Sequence, residues 1–172
     1  MRLPLLLPLL LLATPARADR ISLSPPGSEV GIRFYALGLL PLDGNYTRFQ
    51  GWLIYDPTDR TRYQVELSAE ADSLALANAS LRSEVVGPEF MDAARFPTVK
   101  FTGICQGRGL QGALTMRGIT HAFRLALDWT RGSVTATGRM HRADWGMTTH
   151  PLLGGGTARI RITTTLPKAS EP

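Results

Sequence analysis

Residues 90–101, with the sequence FMDAARFPTVKF, decide the fold because the structural period of the chain changes within this stretch. The residues before it, 77–86, can form a short helix, whereas residues 98–106 alternate between the two sides of a β-strand. Phe90 and Phe96 supply large apolar surfaces, and Pro97 forces the preceding residue out of the helical region. The stretch therefore predicts a helix that leads through an aromatic plug into a sheet, with the plug covering an apolar interior.

About eight runs of period-two alternation, separated by turn residues, lie between residues 29 and 167. In residues 63–70, the apolar Tyr63, Val65 and Leu67 alternate with polar side chains, so we expect one face of the strand to be buried and the other to be exposed to solvent. Short glycine turns at 107–109 and 117–118 favour neighbouring antiparallel strands. These patterns predict a mainly β protein, an eight-stranded antiparallel barrel with a short helix over one end.

The first 18 residues have the three parts of a secretory signal peptide. Arg2 is followed by a leucine-rich run and by the small-residue ending Ala16-Arg17-Ala18, after which we expect cleavage. No later segment is long and apolar enough to span a bilayer. We therefore expect an exported, periplasmic protein with one domain at residues 19–167 and a disordered tail at 168–172.

Charge and cysteine usage exclude several classes of protein. Removal of the signal leaves about 154 residues with a net charge of about +3, and the arginines are scattered rather than clustered. A nucleic-acid partner is therefore not expected. Cys105 is the only cysteine of the chain, so no internal disulfide can form. Its strand parity predicts a small, buried apolar side chain.

The inward-facing set predicted from strand parity mixes small and large residues. A barrel of eight strands either fills itself with side chains or holds one small ligand. The mix predicts an apolar tunnel with room left in it, while a fully packed barrel remains an alternative because parity does not measure volume. The small inward residues are Ala36, Gly103, Gly112, Ala136, Gly138 and Ala158.

Motifs for catalysis or for metal binding are lacking in the sequence. His121, His141 and His150 are too dispersed for a recognisable metal site, and no second cysteine exists to complete a thiolate site. No nucleophile elbow is present. We predict no enzymatic activity, no metal and no required cofactor; an enzyme acting on small apolar substrates would require clustered titratable groups in the interior.

Four segments in order give the chain its resemblance to a known family. They are FMD with FPTVKF at 90–92 and 96–101, GNYTRFQG at 44–51, GALTMRGIT at 112–120 and RADWGM at 142–147. The chain resembles the YceI family of lipocalin-like, polyisoprenoid-binding periplasmic proteins. The resemblance implies a lipocalin-like barrel that holds a long isoprenoid lipid, a quinone or a related amphiphile, without established catalysis, and it suggests a role in stress tolerance.

Parity and resemblance together predict the ligand-binding residues. Each methylene that leaves water contributes about 0.8 kcal/mol, so an apolar lining can supply affinity without a catalytic group. The predicted lining residues are Phe34, Ala36, Tyr46, Phe49, Leu67, Leu81, Phe90, Phe96, Phe101, Leu114, Phe123, Leu125, Leu127, Trp129, Trp145, Ile160 and Ile162. The candidates for contact with the ligand head group are Arg48, Arg82 and Arg142.

Two functional hypotheses follow. In the first, the protein is a periplasmic carrier that sequesters a long-chain apolar molecule inside the barrel. In the second, the barrel is packed, holds no ligand and acts through its surface, for instance as the partner of a membrane redox protein.

Overall fold

The computed structural model describes residues 19–36, 39–55, 62–148 and 156–166. The predicted signal peptide at 1–18 and the predicted tail at 168–172 lie outside the described residues. One α-helix, α1 (Ala79–Val86), accompanies eleven strands in this part of the chain. The strands are β1 (Asp19–Leu23), β2 (Ser28–Ala36), β3 (Leu40–Tyr46), β4 (Phe49–Tyr55), β5 (Gln64–Glu70), β6 (Leu74–Leu76), β7 (Thr98–Gln106), β8 (Gly109–Met116), β9 (Ile119–Thr130), β10 (Ser133–His141) and β11 (Thr157–Thr165).

All eleven strands belong to one antiparallel sheet that curls on itself. Its order is β1-β4-β5-β7-β8-β9-β10-β11-β2-β3-β6. Only Thr47 and Arg48 separate β3 from β4, although these strands lie near opposite ends of that order. The Thr47 N–H donates to the Ser73 carbonyl at 3.1 Å, and the Glu70 N–H donates to the Arg48 carbonyl at 3.0 Å. The first bond extends the β3–β6 pairing and the second extends the β4–β5 pairing. The link through Thr47 and Arg48, with the Ser73 hydroxyl donating to the Arg48 carbonyl at 3.2 Å, brings the two ends of the sheet together around an enclosed interior.

The predicted class of fold, mainly β and antiparallel with one short helix, is confirmed, but the predicted count of eight strands is wrong. β1 directly follows the expected cleavage site, and β6 has three residues, too few for a period-two pattern to be recognised. Both strands lie at the edges of the sheet. The central run from β7 to β11 pairs in sequence order, as the short turns predict.

Alternation along the strands separates an apolar interior from a polar exterior. In β5, Val65, Leu67 and Ala69 are buried, whereas Glu66 and Glu70 are exposed. Cys105 has the predicted inward parity on β7 and is half-buried. Each large apolar side chain that is fully buried contributes about 1.5–3 kcal/mol. Since nearly every strand contributes such residues, the interior is the only core within the described residues.

α1 lies between β6 and β7 and carries the chain towards one end of the barrel. The Asn78 side chain caps the helix by accepting the Leu81 N–H at 3.0 Å. The helix ends before Gly87 and Pro88, and the following turns place Phe90 and Met91 in the core, each no more than 2% exposed. The helix and the Phe90 part of the aromatic plug are therefore as the sequence predicts.

Candidate functional site

Two small apolar cavities lie inside the barrel. The cap-side cavity has a volume of about 30 Å³ and is lined by Val30, Gly31, Ile32, Tyr46, Leu67, Ala69, Val99, Phe101, Leu114, Met116, Phe123, Leu125, Ile160 and Ile162. The far-side cavity, also about 30 Å³, is lined by Leu23, Leu53, Tyr63, Val65, Leu110, Leu125, Leu127, Trp129, Val134, Ala136, Ile162 and Thr164. Leu125 and Ile162 line both cavities and therefore stand between them. Neither lining contains a charged side chain among the described residues.

The interior is narrower than the predicted tunnel because aromatic rings occupy the space beside two inward glycines. A Cβ atom on Gly138 would lie 2.7 Å from the Phe123 ring, and one on Gly103 would lie 2.8 Å from the Phe101 ring. The two rings face each other edge to face, with centroids 6.2 Å apart. The glycines thus make room for the rings of the protein itself, and the expectation that they leave an open tunnel is wrong.

The cap over the barrel end is built from rings that contact one another. The Phe34 and Phe90 rings meet edge to face with centroids 5.5 Å apart. The Trp145 indole donates to the Leu114 carbonyl at 3.2 Å and packs edge to face with Phe123 at 6.2 Å. Such ring pairs contribute about 0.5–1.5 kcal/mol beyond the area that they bury. The cap is therefore a firmly packed part of the core.

Two polar side chains are buried at the cap. The Tyr46 hydroxyl contacts the Met91 sulfur at 3.9 Å, and burial raises the pKa of this phenol well above its usual value. The Arg142 guanidinium lies 4.9 Å from the centre of the Phe90 ring, and desolvation by burial lowers its pKa. Arg142 is only 5% exposed and lines neither cavity. It stabilises the cap by a cation–π contact.

The other two head-group candidates bind residues of the protein. Arg48 forms ion pairs with Glu70 at 2.5 Å and with Asp72 at 2.8 Å on the exposed rim. Arg82 donates to the backbone carbonyls of Leu74 and Asp72, which ties α1 to β6. Both arginines hold connections in place, and neither lines a cavity.

Apart from Ala36, the predicted ligand-binding residues fall into three groups in the structure. The members that line a cavity are Tyr46, Leu67, Phe101, Leu114, Phe123, Leu125, Leu127, Trp129, Ile160 and Ile162. Phe34, Phe49, Phe90 and Trp145 are buried in the core outside these linings. Leu81 is half-buried on α1, and Phe96 is half-buried against Gly118 rather than plugging the interior. Ala36 belongs to β2, but its side chain lies outside what the structure describes.

Several lining residues were missing from the predicted set. Val134 and Tyr63 share the parity of Ala136 and Leu67, so the alternation already carried a signal for them. Leu23 belongs to β1, which adjoins the expected cleavage site and gave no clear pattern. Met116 is the last residue of β8, next to the turn. The predicted set also lacks lining residues inside strands, such as Ile32 on β2 and Leu53 on β4, whose parity is that of the core.

A larger depression of about 540 Å³ lies on the outer face of the sheet between β4 and β8. The Arg20 guanidinium stacks over the Trp52 ring at 3.6 Å from its centre, and Ile104 is 52% exposed beside it. Both apolar and charged side chains line this depression, among them Glu66. It is therefore a mixed surface groove, unlike the two apolar cavities inside.

Neither a metal centre nor a membrane-spanning helix is found within the residues that the structure describes. No three His, Cys, Asp or Glu side chains come together there as metal ligands. None of the helices in those ranges has the length and hydropathy needed to cross a bilayer.

The curled antiparallel sheet, the short helix α1 and the enclosed apolar interior define a lipocalin-like protein. The family model of the YceI-like domain matches residues 22–166. The chain therefore belongs to the YceI-like family, as its four sequence segments indicate. No curated protein matches the sequence.

Three solved structures have a similar fold. The crystal structure of BcnA from Burkholderia cenocepacia has a TM-score of 0.68 at 16% identity and covers 81% of this chain and 96% of that chain. The Campylobacter jejuni YCEI protein has a TM-score of 0.60 at 14% identity, with 73% and 85% covered. A polyisoprenoid binding domain from Saccharophagus degradans, implicated in plant cell wall breakdown, has a TM-score of 0.59 at 9% identity, with 87% and 100% covered. At these identities the similarity demonstrates the fold alone.

Proposed function

We propose that this protein is an exported carrier that binds one long apolar molecule of the isoprenoid class inside the barrel. The two cavities behind a continuous apolar lining are the observation that carries this proposal. Membership of the YceI-like family and the fold shared with a polyisoprenoid binding domain support it. The absence of charged side chains from the described linings favours a neutral part of the ligand at this position, such as the chain of an alcohol or a quinone.

The ligand has to displace side chains, because a volume of about 30 Å³ corresponds to the space of one water molecule. Forcing extra methylenes into a packed core costs about 1–3 kcal/mol. Ten methylenes that leave water contribute about 8 kcal/mol, so the burial of the chain outweighs that cost. Leu125 and Ile162 are the side chains that must move for the two cavities to become one.

Four of the buried core residues that the structure describes are methionines. Met91, Met116, Met140 and Met147 are each 2% exposed. The methionine side chain is unbranched and has three rotatable bonds, which lets it fill irregular space around different ligands. Met116 lines the cap-side cavity directly. The wall of the cap-side cavity beside Met116 can therefore adapt to a ligand while the ring contacts of the cap stay in place.

Native mass spectrometry with farnesol and geranylgeraniol tests the proposal. The protein should retain one molecule, and the longer alcohol should bind about tenfold or more tightly, because it buries more methylenes. Ala136→Leu fills part of the far-side cavity and should weaken binding of geranylgeraniol by about tenfold. Ala126→Leu is the matched control, since Ala126 is exposed on the neighbouring strand β9. Equal affinity of the two variants, or no retained alcohol with the wild type, would contradict the proposal.

A second candidate function, a packed barrel that acts through its surface, is favoured by the small size of the cavities. In that case the wild-type protein should remain empty with either alcohol. Capture of a membrane redox protein from detergent-solubilised membranes should then be equally efficient for wild type and Ala136→Leu. Retention of an alcohol by the wild type and its loss from Ala136→Leu would argue against this second function.

Export to the periplasm is the remaining part of the proposal. The leader-like sequence of residues 1–18 ends immediately before β1, so cleavage after Ala18 would leave the strand complete. Protein extracted from the periplasm of an expressing cell should begin at Asp19 by N-terminal sequencing. Recovery only from the cytoplasm, with residue 1 or 2 at the N-terminus, would contradict export.

A further inference from the structure

Two exposed leucines lie where β3 begins. Leu39 is 82% exposed and Leu40 is 60% exposed, and Leu40 pairs with Ala36 at the last register position of the two strands. Isolated exposed leucines are common, but two in succession where β3 begins form an apolar tip. Within the described residues, no element of the fold covers this tip.

Arginines form a row across the outer face of the same wall. Arg33 on β2 is the cross-strand neighbour of Arg159 on β11, which is in turn the neighbour of Arg139 on β10. Arg161 follows on the same outward parity of β11. Like charges on directly opposite positions destabilise a sheet, so the fold itself gains nothing from this row.

Acidic neighbours balance only part of this positive charge. Asp43 binds Arg33 in a bidentate pair, with oxygen–nitrogen distances of 2.6 and 2.9 Å. No ion pair within 4.0 Å involves Arg139, Arg159 or Arg161 among the residues that the structure describes. The outer wall therefore presents surplus positive charge.

The apolar tip and the arginine row lie at different heights along the same strands. Arg33 precedes the end of β2 by three residues, a distance of about 10 Å in a β-strand. Tyr35, half-buried and on the same outward parity, lies between the arginine and the tip. The order of apolar, aromatic and basic side chains matches the order of acyl chains, interface and phosphates in one leaflet of a bilayer.

A groove in the arginine row is large enough for part of a lipid head group. Its volume is about 280 Å³, and its lining contains Arg33, Arg159 and Arg161 together with the carboxylates of Glu29 and Asp43, which leaves a small excess of positive charge. Gly31 and Asn45 also line the groove, and a Cβ atom on Gly31 would lie 3.0 Å from the Asn45 side-chain oxygen. Phosphate oxygens pair well with guanidinium groups, which supply several donors in a fixed plane.

We propose that this wall docks on an anionic membrane surface, with Leu39 and Leu40 inserted at the boundary of the acyl chains and the arginines on the lipid phosphates. An acidic protein would satisfy the arginines but would leave the apolar tip unexplained, so a membrane is the occupant that fits both features. The docking surface goes beyond the carrier function and stands whether or not the barrel takes a ligand.

Co-sedimentation with vesicles tests the docking surface. The purified protein should bind vesicles of phosphatidylglycerol and phosphatidylcholine, and binding should fall steeply in high salt or with phosphatidylcholine alone. The double variant Leu39→Ser and Leu40→Ser should lower the partition coefficient by about tenfold or more. Arg159→Gln with Arg161→Gln should lower it by about fivefold per arginine. Both pairs are on the surface, so a circular dichroism spectrum and melting curve like those of wild type should accompany the loss.

A matched control lies on another part of the barrel surface. Ile104→Ser with Arg124→Gln removes one exposed apolar and one exposed basic side chain from β7 and β9, and vesicle binding should stay at the wild-type level. An equal loss in this control would overturn the proposal, as would wild-type protein that stays in the supernatant with anionic vesicles. Binding to soluble polyglutamate that depends on the arginines but not on Leu39 and Leu40 would also overturn it, in favour of an acidic protein partner.

Discussion

The capped end and the middle of the barrel are both apolar, but they are held together differently. At the cap, Phe90 packs against Phe34 and Arg142, and its carbonyl accepts a hydrogen bond from Arg117 at 2.8 Å. In the middle, Leu125 and Ile162 separate two cavities, and none of the side chains that line these cavities with them is charged. Directional contacts fix the cap in one arrangement, whereas apolar contacts in the middle allow rearrangement. A ligand therefore gains its space in the middle while the cap stays closed.

Truncation at the cap should have the largest effect. Phe90→Ala removes a ring that is 1% exposed and breaks its contacts with Phe34 and Arg142, so we expect the free energy of unfolding to fall by about 3–5 kcal/mol. Urea denaturation followed by tryptophan fluorescence measures this change. The control is Phe96→Ala, which removes a half-buried ring of the same motif and should cost clearly less. Equal losses of unfolding free energy for both variants would mean that Phe90 is no more firmly packed than the half-buried Phe96.

A methyl group added at Gly138, beside the Phe123 ring, should have the next largest effect on stability. Gly138→Ala places a Cβ atom 2.7 Å from the Phe123 ring and 2.8 Å from the Arg124 carbonyl, so we expect a loss of about 1–3 kcal/mol in unfolding free energy. Gly156→Ala is the control, since its Cβ atom would have nothing within 4 Å. If Gly138→Ala is as stable as this control, the ring does not occupy the space beside the glycine.

Shortening the Ile162 side chain, which separates the two cavities, should lower the stability of the fold but tighten ligand binding. Ile162→Val should lower the unfolding free energy by about 0.5–1.5 kcal/mol and tighten the binding of geranylgeraniol by about fourfold, the value of one methylene. Isothermal titration calorimetry measures the second effect. Ile160→Val, on the same strand, lines only the cap-side cavity and should give the same loss of stability with little change in affinity. A similar gain with Ile160→Val would refute the barrier role of Ile162.

Loss of the exposed ion pair between Arg33 and Asp43 should have the smallest effect on stability. Hydrogen bonding to Arg33 lowers the pKa of Asp43, so the carboxylate stabilises the fold above its unfolded pKa of about 3.9 and this contribution disappears as the pH falls through the lower folded value. Because both side chains are exposed, the change should be small. Urea midpoints at neutral pH and below pH 4 for wild type and Asp43→Asn measure it. A larger difference between the two proteins at acidic pH than at neutral pH would have the wrong sign.

The sequence predicts the strands better than the edges of the sheet. Alternation and glycine turns determine β7 to β11, because each strand there has enough residues to display its period. β6 has only three residues, and its place beside β3 depends on the chain reversal around Ser73. Such a pairing between distant segments leaves no local pattern in the sequence.

The sequence also predicts which side chains face inward, but not how much space they leave. Gly103 and Gly138 have the inward parity expected of them, yet the rings of Phe101 and Phe123 fill the space beside them. Arg48 was a head-group candidate because of its position near a barrel end, and it forms ion pairs with Glu70 and Asp72 instead. The free volume of the interior and the ion pairs of the arginines depend on how side chains from different strands pack together. Strand parity gives no information about that packing.

Methyl-resolved NMR of the wild-type protein during titration with geranylgeraniol examines the interior directly. The methyl resonances of Leu125 and Ile162 should shift strongly and saturate at one alcohol per protein, because these side chains must move apart for the chain to enter. The methyl resonances of Val85, buried in α1 near the cap, should change little. Saturable shifts at the exposed Ile104, with unchanged Leu125 and Ile162, would instead place the alcohol on the outer surface and contradict binding inside the barrel.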